Sequence, residues 1–381
     1  MKAGLGKLST NGREHGVRSG RFVREEVTVK LKTKLLLLAG AAIAAKALSR
    51  SLKLRRLEGK RVLITGGSRG LGLVLARQLT REGARVAICA RDASELERAA
   101  ADPETEGVLA ITCDVTDQHQ VQELVWRVKE EFGEIDILIN NAGVIGVGPV
   151  ETMDLQDYEE TMGVHFWGPL YLTLEVLPEM RARGAGHIVN VSSIGGKLSV
   201  PHLLPYCASK FALTGFSEGL RAELAKDGVA VTTVCPGLMR TGSPRNATFK
   251  SKHRAEYTWF SVFDSLPLLS MSAERAARRI VDALKTNKAE VILTIQAKAA
   301  ARFNALFPET MAALMALTNR LLPSAGGIGH EKRLGADSAS ALSPSPLTSL
   351  TERAASLNNE VGPADSALSS IATRAGVVRV S

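Results

Sequence analysis

The chain has little cysteine: Cys89, Cys113, Cys207 and Cys235 are the only four in 381 residues, and none belongs to a C-x-x-C pair or a Cys/His group with zinc spacing. That scatter speaks against a disulfide framework and a structural metal site, and it sets reduced thiols in a cytoplasmic setting as the expectation. Aromatic residues make up only 4% of the chain, and no basic block has aromatics threaded through it. A formal net charge of +9 therefore does not read as a nucleic-acid surface, which needs both. Much of the positive excess sits ahead of residue 57 instead, around Lys30, Lys32, Lys34, Lys46, Arg50, Lys53, Arg55 and Arg56. Long apolar runs are missing too, since the stretch 35–45 falls short of the ~20 residues a spanning helix requires. Three readings stand for it: a helix lying in the plane of a membrane, with peripheral contact through 30–50; a helix packed on the protein's own surface; or a disordered leader.

What is present is ordinary core material, 45% hydrophobic and 23% charged. From Lys60 onward, short β-branched runs alternate with amphipathic stretches, the pattern of βαβ units and a parallel sheet. Strands are expected at 61–65, 85–90, 107–113, 135–140, 187–192, 229–235 and 290–294, and helices at 71–81, 118–132, 155–181, 206–226 and 273–285. The fold class is thus α/β, a doubly wound parallel sheet of seven strands in one main domain, 57–322. A basic leader, 1–56, precedes it, and a Ser-, Ala- and Gly-rich tail, 323–381, expected to be loosely ordered, follows. Within the domain, 243–271 interrupts the alternation and reads as a lid over a ligand at the carboxyl ends of the strands.

The first strand runs into Thr65-Gly66-Gly67-Ser68-Arg69-Gly70-Leu71-Gly72 and then a helix. Glycines there let backbone approach a pyrophosphate, and the helix start offers free N–H groups. The second strand closes on Arg91 and Asp92. A basic residue at that place can pair with the 2'-phosphate of NADP, and Arg69 with Arg91 could form such a clamp; solvated surface charges are the plainer reading, and Asp92 pulls toward NAD. Tyr206 and Lys210 stand four positions apart on a helix, which sets an ammonium near a phenol and favours phenolate. Ser193 closes the fifth strand, where its hydroxyl can hold an oxygen that gains charge or simply cap the next turn, as Ser192 could.

Together these residues resemble the short-chain dehydrogenase/reductase family across 57–296. The resemblance rests on the glycine turn at 65–72, Asp114-Val115 after the third strand, Asn140-Asn141-Ala142-Gly143 after the fourth, Ser193, the Y-x-x-x-K of Tyr206 and Lys210, and Pro236-Gly237 with Thr241 four places after that glycine. It implies a Rossmann fold and NADP(H) in preference to NAD(H), with Gly66, Ser68, Arg69, Gly70, Leu71, Gly72 and Arg91 on the cofactor. Asp114 and Val115 would meet adenine, Asn141 would line the nucleotide crevice, and Pro236, Gly237, Met239 and Thr241 would lie toward the carboxamide. Tyr206 would exchange the proton, Ser193 orient the carbonyl, and Lys210 lower the tyrosine pKa and hold the ribose. A homodimer or homotetramer is implied as well.

One departure stands out: His165 occupies the place where the family usually has an asparagine that supports a relay water. It either serves the relay in altered form or is a satisfied packing residue. The lid carries Phe249, Tyr257, Trp259, Phe260, Phe263, Leu266, Leu268 and Leu269, which would wall an apolar small-molecule substrate or only pack the lid onto the body. The resulting expectation is hydride transfer between nicotinamide and a carbonyl or secondary alcohol carbon of a lipophilic molecule. A nucleotide-binding scaffold or redox sensor with vestigial turnover, and an epimerase or dehydratase using the same tyrosine, are the alternatives.

Overall fold

Runs too short and too β-branched for helices form seven strands: β1 Arg61–Thr65, β2 Arg85–Ala90, β3 Leu109–Thr112, β4 Ile137–Asn140, β5 Gly186–Val191, β6 Val229–Cys235 and β7 Glu290–Ile292. In the computed structural model they make one sheet in the order β7-β6-β5-β4-β1-β2-β3, every neighbouring pair parallel. The structure describes residues 56–362, with Lys34 alone before them, so the apolar leader and 363–381 lie outside the described residues. The chain divides into two units between Arg55 and Arg56, and 56–362 belong to the second. Among the described residues no helix is long and apolar enough to cross a membrane.

The helices are α1 Gly70–Arg81, α2 Ala93–Ala100, α3 Gln118–Phe132, α4 Leu155–Met162, α5 Gly168–Ala182, α6 Leu204–Leu224, α7 His253–Ser265, α8 Ala273–Lys285, α9 Ile295–Leu306, α10 Pro308–Leu321 and α11 Ser349–Leu357. Aspartates set several starts: Asp92, Asp117 and Asp154 each accept a backbone N–H in the first turn of α2, α3 and α4. Strand alternation then divides the core. Val62, Ile64, Ile137 and Ile139 join Leu75 and Leu79 of α1 and Ile280 of α8 on one face, while Leu63 and Leu138 join Leu124 and Val128 of α3 and Leu172 of α5 on the other. Each fully buried side chain of this size contributes about 1.5–3 kcal/mol. The strand order reverses between β1 and β4, and a crevice opens at the carboxyl ends of the strands on that line.

Two expectations need correction. The helix expected over 155–181 is broken by a wider turn at Gly163–Trp167, between α4 and α5. Gly168 and Pro169 stand at that joint, and a side chain on Gly168 would lie 2.9 Å from the Val115 carbonyl. The segment 243–271 carries α7, which packs on a small core of Val147, Ala247, Phe249, Tyr257 and Phe260. The C-terminal stretch through 362 is packed rather than loose. Arg333–Leu334 pairs antiparallel with Thr248–Phe249, Thr351 donates to Asp264 at 2.8 Å, and Arg245 meets Glu352 at 3.0 Å. Most of its buried hydroxyls, which suggest solvation by composition, are bonded to the body or to the stretch itself: Ser338 Oγ donates to the Leu334 carbonyl at 2.7 Å, and Ser340 Oγ bonds Thr258 Oγ1 at 2.7 Å.

Candidate active site

The glycine turn is fixed from β4. Thr65 Oγ1 accepts the N–H groups of Asn141 and Ala142, both at 3.0 Å, and the Asn141 amide donates to the carbonyls of Thr65 and Gly66 at 3.0 and 3.1 Å. Asn141 therefore holds the turn in shape as well as facing the crevice. Gly72 is required for the same closeness: a Cβ there would stand 2.0 Å from the Gly66 carbonyl oxygen. The positive end of α1 is thereby presented to the cleft.

Every predicted site residue except Gly72, which lies beneath the turn, lines one cleft of about 760 Å³. At one end the buried Val115 lines the cleft, and Asp114 Oδ1 accepts the N–H and hydroxyl of Thr116 at 2.9 and 2.8 Å. The arginine clamp is not assembled as expected. Arg91 has its side chain 58% exposed and only a long contact, 4.0 Å, to Asp114, but the Arg69 guanidinium is paired with Glu95 and lies 3.3 Å from Glu360. The sequence reading missed both carboxylates. Glu360 is far away in the chain, and no spacing signals it.

At the other end stand Ser193, Tyr206 and Lys210. Ser193 Oγ accepts the Gly195 N–H at 3.0 Å, while Ser192 bonds the Lys210 carbonyl at 3.0 Å and Thr214 at 2.7 Å, so Ser192 tethers α6 and Ser193 faces the cleft. Lys210 is buried, and its Nζ donates to the Val191 carbonyl at 2.9 Å. Burial lowers its pKa to about 7. The expected lowering of the tyrosine does not hold: burial pushes Tyr206 up to about 12, opposed by the Ser193 hydroxyl. The ammonium lies 5.8 Å from the ring centroid, but an amine that is itself half-neutral near pH 7 has little charge to lend.

His165 is fully buried in the wide turn before α5. Its Nε2 accepts the Val144 N–H at 3.1 Å, so Nδ1 carries the proton and donates to Ser209 Oγ at 2.7 Å; Ser209 in turn donates to the Tyr206 carbonyl at 2.8 Å. Both ring nitrogens are engaged by protein, and burial holds the pKa well below 6.5, with Lys210 adding repulsion. The ring is a neutral brace between the N-N-A-G loop and the tyrosine helix. His165→Ala should destabilise the fold by about 2–4 kcal/mol in chemical denaturation, because it leaves two polar partners unpaired and a cavity; His165→Asn should recover part of that loss. A limb in the pH–rate profile near 6.5 that vanishes in His165→Asn would show a titrating ring instead.

The lid aromatics do not wall the cleft. Phe249, Tyr257 and Phe260 pack on one another, and Phe263 and Leu268 are exposed. The lining near Tyr206 is mixed, with Val144, Ile145, Val164 and Pro205 beside Asp157, Glu160, Thr248 and Lys332.

A family model described as short chain dehydrogenase matches residues 60–251. The chain belongs to the short chain dehydrogenase family. Among curated relatives, the Drosophila melanogaster dehydrogenase/reductase SDR family protein 7-like is 34% identical over 268 residues, covering 68% of this chain and 81% of that protein. Dehydrogenase/reductase SDR family member 7B of Rattus norvegicus is 32% identical over 289 residues, covering 73% and 87%. Among solved structures, a short-chain dehydrogenase from Streptomyces avermitilis superposes with a TM-score of 0.58 at 30% identity, over 69% of this chain and 97% of that one. A short chain dehydrogenase/reductase from Burkholderia phymatum, in complex with NAD, gives 0.62 at 25% identity, over 67% and 96%. As a member of this family the protein is an oxidoreductase with the doubly wound sheet of its relatives.

Proposed function

We propose that this short chain dehydrogenase reduces a carbonyl, or oxidises the corresponding secondary alcohol, with Tyr206 as acid/base, Ser193 orienting the oxygen and Lys210 beneath both. The observation that carries the reading is that these three side chains and the glycine turn open into one cleft. A nicotinamide dinucleotide fits its residues: the turn under α1 for the diphosphate, Val115 for adenine, and Pro236, Gly237, Met239 and Thr241 at the far end. When bound, the dinucleotide supplies or takes the hydride. The chain itself holds the substrate oxygen at Ser193 and moves a proton through the Tyr206 hydroxyl. With burial raising that hydroxyl to about 12, the tyrosine stands protonated near neutrality, the form that donates to a carbonyl oxygen.

NADP(H) is the proposed cofactor, with the exposed Arg91 pairing to the 2'-phosphate. The cleft beside Tyr206 offers an apolar strip of Val144, Ile145 and Val164 where the substrate's reacting carbon would sit, so a partly lipophilic ketone or aldehyde is the proposed class, with a polar portion toward Thr248 and Lys332. Self-association through α5 and α6, which expose Leu174 and Phe211, completes the reading.

NADPH consumption against a panel of apolar ketones and aldehydes tests it. Net consumption is expected, and Arg91→Ala should raise the KM for NADPH by about tenfold while leaving that for NADH within about twofold. Product formed without net consumption would overturn the reading in favour of an isomerising reaction.

A further inference from the structure

We infer that residues 349–362 form a strap over the glycine turn that competes with the dinucleotide diphosphate, with Glu360 as the blocking group. The inference rests on the cofactor reading above. Helix α11 ends against the start of α1, and three consecutive residues after it are engaged there. The Asn358 carbonyl accepts the N–H of Gly70, the first residue of α1, at 2.9 Å. The Asn359 amide donates to the carbonyls of Ser68 and Glu95 at 2.8 and 2.9 Å, and its oxygen accepts from Arg98 at 2.7 Å. The Glu360 side chain is only 4% exposed, accepts from Asn246 at 2.6 Å and lies 3.3 Å from Arg69 Nε.

Glu360 Oε1 stands 2.6 Å from the place a Cβ on Gly70 would take, so a carboxylate occupies the anion end of α1. A diphosphate at this turn would compete for the Gly70 N–H that the Asn358 carbonyl holds, and brings two negative charges beside the Glu360 carboxylate. Like charges in a desolvated crevice repel strongly, so strap and diphosphate cannot both be held there. Burial pushes the Glu360 carboxyl up to about 7, opposed first by Arg69, with Glu95 adding to the rise, so its charged form is held there at a cost. Departure of the strap also releases Arg69 from one of its two carboxylates, toward the 2'-phosphate that Arg91 alone now faces.

The test uses the full chain, with NADP+ and NADPH as probes. Glu360→Gln keeps a partner for Asn246 without the charge, and Asn359→Ala removes the tie to Ser68 and Glu95; each should tighten dinucleotide binding by about tenfold, a coupling of ordinary size. In the unmutated protein, NADP+ should speed amide hydrogen exchange across 349–362. Unchanged or weaker binding in both variants, or protection of 349–362 by NADP+, overturns the inference alone. No binding by any of the three proteins overturns the cofactor reading and this one with it.

Discussion

Tyr206→Phe should lower turnover by roughly 10²–10⁴-fold while changing dinucleotide affinity by less than about twofold, because it removes the proton donor and leaves the ring. The ring's edge contact with His165, 5.4 Å between centroids, survives the substitution, and so does the helix that carries both it and Lys210. Only the hydroxyl is lost. Its proton is firmly held, since burial raises the phenol to about 12 against the pull of Ser193. The phenol itself should therefore put no limb into reduction through neutral pH, and alcohol oxidation, which needs the phenolate, should accelerate as pH rises toward that value. Steady-state kinetics in both directions, with a separate binding titration, reads all three quantities. Retention of more than a tenth of the turnover would mean that the proton travels by another group.

The main sheet was legible because its signals are local. Apolar runs of strand length, amphipathic periodicity and glycines at the first turn each depend on neighbours a few residues away, and strands 61–65, 85–90 and 229–235 stand where their β-branched runs place them. The cleft followed from topology, since the carboxyl ends of β1, β4 and β5 bring Gly66, Asn141 and Ser193 together whatever the loops do. What periodicity did not carry was long-range pairing. Arg69 read as a free cation, but Glu95 and the distant Glu360 hold it. The lid aromatics had two readings, substrate wall or packing of the lid, because burial by a ligand and burial by the lid's own core select the same residues. His165 had two readings, and its bonds to Val144 and Ser209 favour the packing role. The serine-rich C-terminal stretch read as solvated, yet Ser338, Ser343, Thr348 and Thr351 are all fully buried.

Lys210→Met should remove most of the turnover and yet raise the stability of the dinucleotide-free protein at pH 7. The amine is only 4% exposed, and desolvation brings it from 10.5 down to about 7 against a smaller opposing pull from Cys235. Between those two values the unfolded chain holds a proton that the folded chain has released, so folding grows more favourable as pH rises from about 7 and the full penalty applies below it. At about 1.36 kcal/mol per pH unit, the charge penalty near neutrality is on the order of 4 kcal/mol. Methionine fills a similar volume without charge, but forfeits the hydrogen bond to the Val191 carbonyl, worth about 1 kcal/mol. A net gain of about 2–3 kcal/mol corresponds to a rise in Tm of about 5 °C for a domain of this size. The comparison belongs between pH 7 and 9, because above that range Cys235 and Tyr206, both raised to about 12, pull stability down as the unfolded chain loses protons the folded one keeps. In that window the unmutated protein should gain stability with pH and the variant should lack that slope. A variant less stable at pH 7, with the slope unchanged, would show that the amine is neither strained by burial nor retained for chemistry at the expense of the fold.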